Sequence, residues 1–153
     1  MNPTMLDMAQ LREELMFDEG VVYEIYKCSL GYPTFGIGHL IRPSDKEYGQ
    51  PVGTPVGEYR VLEAFDNDIE STLHCCRNLY GSDEWFEFPG EVKKILANMC
   101  FNLGVNRLSK FVKMNAAIKE HNWKEAAKEG RDSRWYRQVT NRAERLMTRM
   151  ENV

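Results

Sequence analysis

Residues 17–40, Phe-Asp-Glu-Gly-Val-Val-Tyr-Glu-Ile-Tyr-Lys-Cys-Ser-Leu-Gly-Tyr-Pro-Thr-Phe-Gly-Ile-Gly-His-Leu, carry a carboxyl at Glu19, a thiol at Cys28 and a hydroxyl at Thr34. Glu19 closes an amphipathic run and precedes Gly20, the residue type that most readily takes the left-handed conformation ending a helix. It therefore sits at a helix-to-strand junction. The alternation that follows sets Val22, Glu24, Tyr26 and Cys28 on one face of a strand and Tyr23, Ile25 and Lys27 on the other. A Gly-Tyr-Pro turn then leads to a second strand punctuated by Gly36 and Gly38. A carboxyl facing such a hairpin can act as a general acid. A thiol whose pKa is lowered can exchange a proton, and a hydroxyl has one donor and two acceptor pairs with which to hold water. Each residue alone also has a plain structural reading. Glu19 could be a solvated helix end, Cys28 a small space-filling side chain, and Thr34 a β-branched strand residue.

The elements that must position these groups follow from periodicity. Residues 4–19 read as a helix, with Leu11, Leu15 and Met16 at helical spacing and Arg12, Glu13 and Glu14 on the outer face. The hairpin runs to about Ile41, and Arg42 to Gly53 reads as loop, rich in Pro, Gly and polar residues. Thr54-Pro55 carries the signature of a helix start, an N-cap residue before Pro. Val61, Leu62, Phe65, Ile69 and Leu73 keep helical period from there to about Leu79. At about 1.5 Å per residue, such a helix is long enough to connect two lobes. After the breaker at Tyr80-Gly81-Ser82-Asp83 come Trp85, Phe86 and Phe88, then an apolar helix with Val92, Ile95, Leu96, Met99 and Leu103. Apolar residues on more than one face predict that this helix is buried. The remainder reads as short helices broken at Leu103-Gly104, Glu120 to Asn122, Gly130 to Asp132 and Val139 to Asn141. A small early sheet followed by many helices is an α+β arrangement.

Length and composition, 153 residues with 42% hydrophobic and 28% charged, predict one globular domain rather than disorder or membrane insertion. The start, Met-Asn-Pro-Thr-Met-Leu-Asp-Met-Ala-Gln, lacks the basic and apolar regions of a signal peptide, so the chain as given is not expected to export itself. Cys28, Cys75, Cys76 and Cys100 show no zinc spacing, and the adjacent pair is poorly placed to close on itself. They read as reduced thiols; no metal and no cofactor are expected. The net charge of −3 hides an asymmetry: residues 1–90 hold 6 Lys and Arg against 16 Asp and Glu, and residues 91–153 hold 14 against 7. A basic second half can steer toward an anionic polymer such as peptidoglycan or nucleic acid, or merely solvate helix faces.

The order Glu19, eight residues, Cys28, five residues, Thr34, then Gly36-Ile37-Gly38-His39 resembles the T-even phage lysozymes, the glycoside hydrolase family 24 muramidases and endolysins. The resemblance continues through Phe65 and Asp68, through Asn98-Met99-Cys100-Phe101-Asn102-Leu103-Gly104, and through Ser133-Arg134-Trp135-Tyr136 and Asn141-Arg142-Ala143. It covers nearly the whole chain. It departs at position 28, where Asp is the commonest residue and Cys marks a subset of the family.

That resemblance implies a lysozyme-like α+β fold in a single domain, 1–153. Its β-lobe would be 20–54 and its connecting helix 55–79, with 1–19 and 80–153 as the helical lobe. It implies hydrolysis of the β-1,4 bond between N-acetylmuramic acid and N-acetylglucosamine of bacterial peptidoglycan, with inversion. Glu19 would be the general acid, and Cys28 and Thr34 would place and activate water. Phe101, Asn102 and Glu129 would line the saccharide site, with Glu129 set in a stretch, Lys128 to Asp132, that departs from the family pattern. Arg142 would pair with Glu19, and His39 with Asp68 would form an interlobe ion pair that serves stability. Trp123, Trp135 and Tyr136 read as core rather than sugar-stacking residues. The implied setting is a monomer made in the host cytoplasm, without nucleic-acid binding or membrane insertion, that reaches the wall through a holin-type pore. The competing class is a non-catalytic peptidoglycan-binding or scaffolding module on the same fold.

Overall fold

The structure, a computed structural model, describes residues 3–153. Helix α1 (Met8–Glu19) leads to strands β1 (Val22–Lys27), β2 (Pro33–Gly36) and β3 (His39–Leu40), and then to the long helix α2 (Glu58–Tyr80). The rest is helical: α3 (Ser82–Glu87), α4 (Gly90–Leu103), α5 (Val105–Ser109), α6 (Val112–Lys119), α7 (Trp123–Arg131), α8 (Arg134–Gln138) and α9 (Thr140–Glu151). The chain forms two compact units, one of Arg12–Ser71 and one of the residues up to Leu11 together with Thr72–Val153. Both α1 and α2 pass from one unit to the other.

In the Arg12–Ser71 unit the strands form one antiparallel sheet in the order β1-β2-β3. Tyr26 lies opposite Thr34, and Phe35 opposite His39. An irregularity between Val22 and Tyr26 breaks the expected alternation, so that Ile25 alone is fully buried on β1. The first helix starts at Met8 rather than residue 4, and Met16, expected on its buried face, is exposed; Leu11 and Leu15 are the buried positions.

Thr54-Pro55 does not open α2. The N–H groups of Gly53 and Val56 donate to the carbonyls of Ile25 and Tyr23, and Ile25 N–H donates to Thr54 O, so residues 53–56 run along the free edge of β1. Glu24 and Pro55 form a bridge there. The local capping signal is overridden because these backbone groups satisfy the sheet edge instead. Helix α2 begins at Glu58, its first turn closed by Val61 N–H to Gly57 O.

The other unit is built around α4. Val92, Ile95, Leu96 and Met99 are fully buried, each stabilising by about 1.5–3 kcal/mol relative to exposure. Ala126, Ala127, Trp135, Ala143, Leu146, Met147 and Met150 complete the same core. The N-terminal segment is tied to this helix: Gly90 N–H donates to Pro3 O at 2.8 Å, and the buried Lys93 ammonium donates to Thr4 O at 2.6 Å and Phe86 O at 3.0 Å. Those contacts hold Lys93 inside although burial pushes its pKa down. Among the described residues no helix is long and apolar enough to cross a membrane.

Candidate active site

Helix α1 delivers Glu19 as its last residue. The chain reverses at once because Gly20, at φ 74°, leaves the helix while its N–H still bonds Met16 O at 3.0 Å. The Glu19 carboxyl is seated against the backbone of Gly38. A Cβ built on Gly38 would fall 2.5 Å from Glu19 Oε1 and 3.1 Å from Cδ, and Gly38 itself has φ +64°. Both features require glycine. Gly38 is thus part of the carboxyl's seat, a role that its place in the sequence does not disclose.

Across the hairpin, Cys28 opens a tight turn closed by Cys28 N–H to Tyr32 O at 2.9 Å and Gly31 N–H to Cys28 O at 2.8 Å. Partial burial pushes the Cys28 thiol up, but hydrogen bonds to its sulfur from the backbone of Tyr32, Leu30 and Gly31 and from the Thr34 side chain prevail and hold it below its ordinary value. The turn is a small nest for a thiolate. Thr34 is buried, and its hydroxyl donates to Tyr32 O at 2.9 Å, leaving its oxygen free to accept when Cys28 is protonated. When Cys28 is ionised the same hydroxyl can turn to donate to the sulfur. Cys28 and Thr34 therefore share one proton-sensitive contact.

Tyr26 was not singled out by the sequence reading. It lies directly across from Thr34 in the sheet. Burial and the neighbouring charges of Glu19 and Cys28 push its phenol pKa up, so it stands near both groups as a neutral side chain. The signal was present in the period-two pattern, which puts Tyr26 and Cys28 on one face.

His39 stands behind the sheet with Nδ1 2.7 Å from Asp68 and Nε2 2.8 Å from Asp45. All three residues lie within the Arg12–Ser71 unit, so the pair that the resemblance describes as interlobe joins β3 to α2 inside one unit. Burial alone would lower the His39 pKa, yet hydrogen bonds to the two carboxylates, and their charges, raise it. Arg60 extends the network to Asp45, Glu47 and Glu63 and lies over the Phe35 ring.

The remaining predicted residues belong to the other unit. Asn102 accepts the indole N–H of the buried Trp135 at 2.9 Å, and Phe101 next to it is half-buried. Glu129 lines a surface pocket of about 340 Å³ with Phe111, Lys113, Ser133 and Trp135. Arg142 donates from Nε to Asn98 Oδ1 at 2.8 Å. Trp135 and Trp123 pack into the core, and Tyr136 donates to Glu144 at 2.7 Å. Among the described residues no His, Cys, Asp and Glu cluster is disposed to hold a metal ion.

A small antiparallel sheet with a helical remainder places the protein in the lysozyme-like α+β class. Residues 17–152 match the phage lysozyme family model. The chain is 31% identical to the pre-baseplate central spike protein of Enterobacteria phage T4, over 95% of this chain and 27% of that protein. It is 30% identical to a T4-type lysozyme of Dictyostelium discoideum, over 94% of this chain and 95% of the other. It is 32% identical to a peptidoglycan hydrolase of Pseudomonas phage phiKMV, over 94% of this chain and 15% of that protein. The chain thus spans only a minor part of the two phage relatives and nearly all of the Dictyostelium one. It belongs to the phage lysozyme family, a family of enzymes.

Proposed function

We propose that the chain is a muramidase cleaving the β-1,4 bond between N-acetylmuramic acid and N-acetylglucosamine of bacterial peptidoglycan. The reading rests on one observation above all, the Glu19 carboxyl seated on Gly38 in the same small unit as a Cys28 thiol cradled by the amides of its turn. Glu19 donates its proton to the glycosidic oxygen as the bond to the anomeric carbon breaks. Water held by Thr34 attacks that carbon from the opposite face, and its proton passes to the Cys28 thiolate. The product is inverted, and solvent exchange returns the proton from Cys28 and reprotonates Glu19. Tyr26 keeps the two groups in place without adding charge. Phe101, Asn102 and Glu129 serve the saccharide.

In this reading the enzyme acts as a monomer, is made in the bacterial cytoplasm and reaches the wall through a pore formed by a second, holin-type protein. The test is clearance of a purified peptidoglycan suspension together with borohydride labelling of the new reducing ends. Clearance with labelled muramic acid ends is expected from the wild type and not from Glu19→Gln, whose amide cannot deliver a proton. Sedimentation of the wild-type chain with the wall, without clearance, would leave a binding module on this fold. Labelled glucosamine ends would make the enzyme a glucosaminidase instead.

A further inference from the structure

Three of the four thiols belong to the unit that includes Thr72–Val153. Cys75 and Cys76 are on α2 and Cys100 is on α4. Cys76 is fully buried, its sulfur reaching the α4 backbone at Leu96 O, 4.0 Å away and one turn before Cys100. Leu96 and Cys100 are one turn apart on α4, so the Cys76 sulfur lies on the face of that helix that carries Cys100, and the two thiols perturb each other's ionisation. Two buried thiols on facing turns of α2 and α4 are placed to form a disulfide. Cys75 is half-buried, with burial and the nearby Cys100 pushing its thiol up, and Cys100 is nearly fully buried. The neighbouring Cys76 thiol holds the Cys100 thiol below its ordinary value against the effect of burial.

We infer that Cys76 and Cys100 are an oxidisable pair that closes to a disulfide between α2 and α4 when the chain meets a disulfide oxidant, with the half-buried Cys75 as the thiol through which oxidation enters. The Cys75 thiolate attacks an external disulfide, forming a mixed disulfide and releasing one thiol. Cys100 then attacks the Cys75 sulfur and releases the second thiol. Finally Cys76 attacks Cys100, and Cys75 leaves as a thiol that takes up the Cys76 proton. In sum one external disulfide is reduced to two thiols, and Cys76 and Cys100 are oxidised by two electrons. Only the setting, a chain that passes from a reducing to an oxidising compartment, rests on the proposed function.

The purified chain is incubated with oxidised glutathione, quenched with iodoacetamide and digested with trypsin. Cleavage then leaves Cys75 and Cys76 on residues 61–77 and Cys100 on residues 95–107. The inference predicts a linked pair of these two peptides in the wild type, reversed by dithiothreitol. The oxidised protein should melt about 5–10 °C higher, as expected for a closed loop of this size. Cys75→Ala should give the same link several-fold more slowly, and Cys76→Ala should give none that survives excess glutathione. A wild type that yields only alkylated peptides, or a Cys76→Ala variant linked as fully as the wild type, would overturn the pairing. Neither readout uses lysis, so the result is independent of whether the chain cleaves peptidoglycan.

Discussion

At the level of single residues, the proposed mechanism gives one thiol the work of a second carboxylate. The turn amides and Thr34 favour the Cys28 thiolate, which suits a group that must accept a proton from water near neutrality. Cys28→Asp should retain activity within about tenfold, because a carboxylate can accept the same proton, whereas Cys28→Ala should lose at least about a hundredfold. Clearance rates of a peptidoglycan suspension at equal protein concentration decide this, and wild-type clearance by Cys28→Ala would reduce the thiol to a space filler. Gly38 makes the complementary case from the acid side. Gly38→Ala must accommodate a methyl where the Glu19 carboxyl sits, on a backbone with φ +64°. We expect about 1–2 kcal/mol of lost stability from the backbone alone and more than about tenfold lost clearance. Clearance unchanged with a lowered melting temperature would show that the carboxyl relocates without cost.

Among the elements, the loop between β3 and α2 is held by charge rather than by a core. With Asp45 and Asp68 facing opposite ring nitrogens, only the doubly protonated His39 can donate to both. Asp45 feels burial, which raises its pKa, but Arg42 N–H, His39 and Arg60 together hold it below its usual value. The signs give a window. The raised His39 pKa contributes stability that is complete below about pH 6.5, its unfolded value, and is lost as pH rises through the folded value. The lowered Asp45 pKa contributes stability that is complete above about pH 4 and is lost as pH falls through the folded value. Melting temperature followed by circular dichroism should therefore be highest between about pH 4 and 6.5 and decline above it by several degrees. His39→Asn should flatten the alkaline decline, and an unchanged decline in that variant would assign it to other groups. The same loop shows where sequence reasoning stops. Periodicity located α2 through Val61, Phe65 and Ile69, and located α4 through its apolar run, since those signals repeat along the helix itself. Thr54-Pro55 misled because its backbone is taken by Tyr23 and Ile25, partners some thirty residues away. The break between α5 and α6 and the short helix α3 also went unread, neither having enough length for a period to register.

For the whole molecule, the excess of basic residues after position 90 would attract an anionic wall at long range if the chain acts there as proposed. Binding to sedimented cell walls should weaken as salt is raised until the Debye length falls below about 8 Å, and clearance should slow with it. Salt-independent sedimentation would return these charges to plain solvation. Of the candidate site, Glu19, Cys28 and Thr34 could be picked out as candidates because they lie close in sequence. The seat of Glu19 on Gly38 and the facing position of Tyr26 needed the folded sheet. The tie between the N-terminal segment and α4 has a different consequence, for the order of assembly. Lys93 and Thr4 are 89 positions apart, and the residues up to Leu11 belong to the unit that runs to Val153. A ribosome extrudes the Arg12–Ser71 segment before α4 exists, so that unit can reach its native pairing first, while Pro3–Leu11 waits undocked for its binding surface. Residues made before the sheet are thus among the last to find their place.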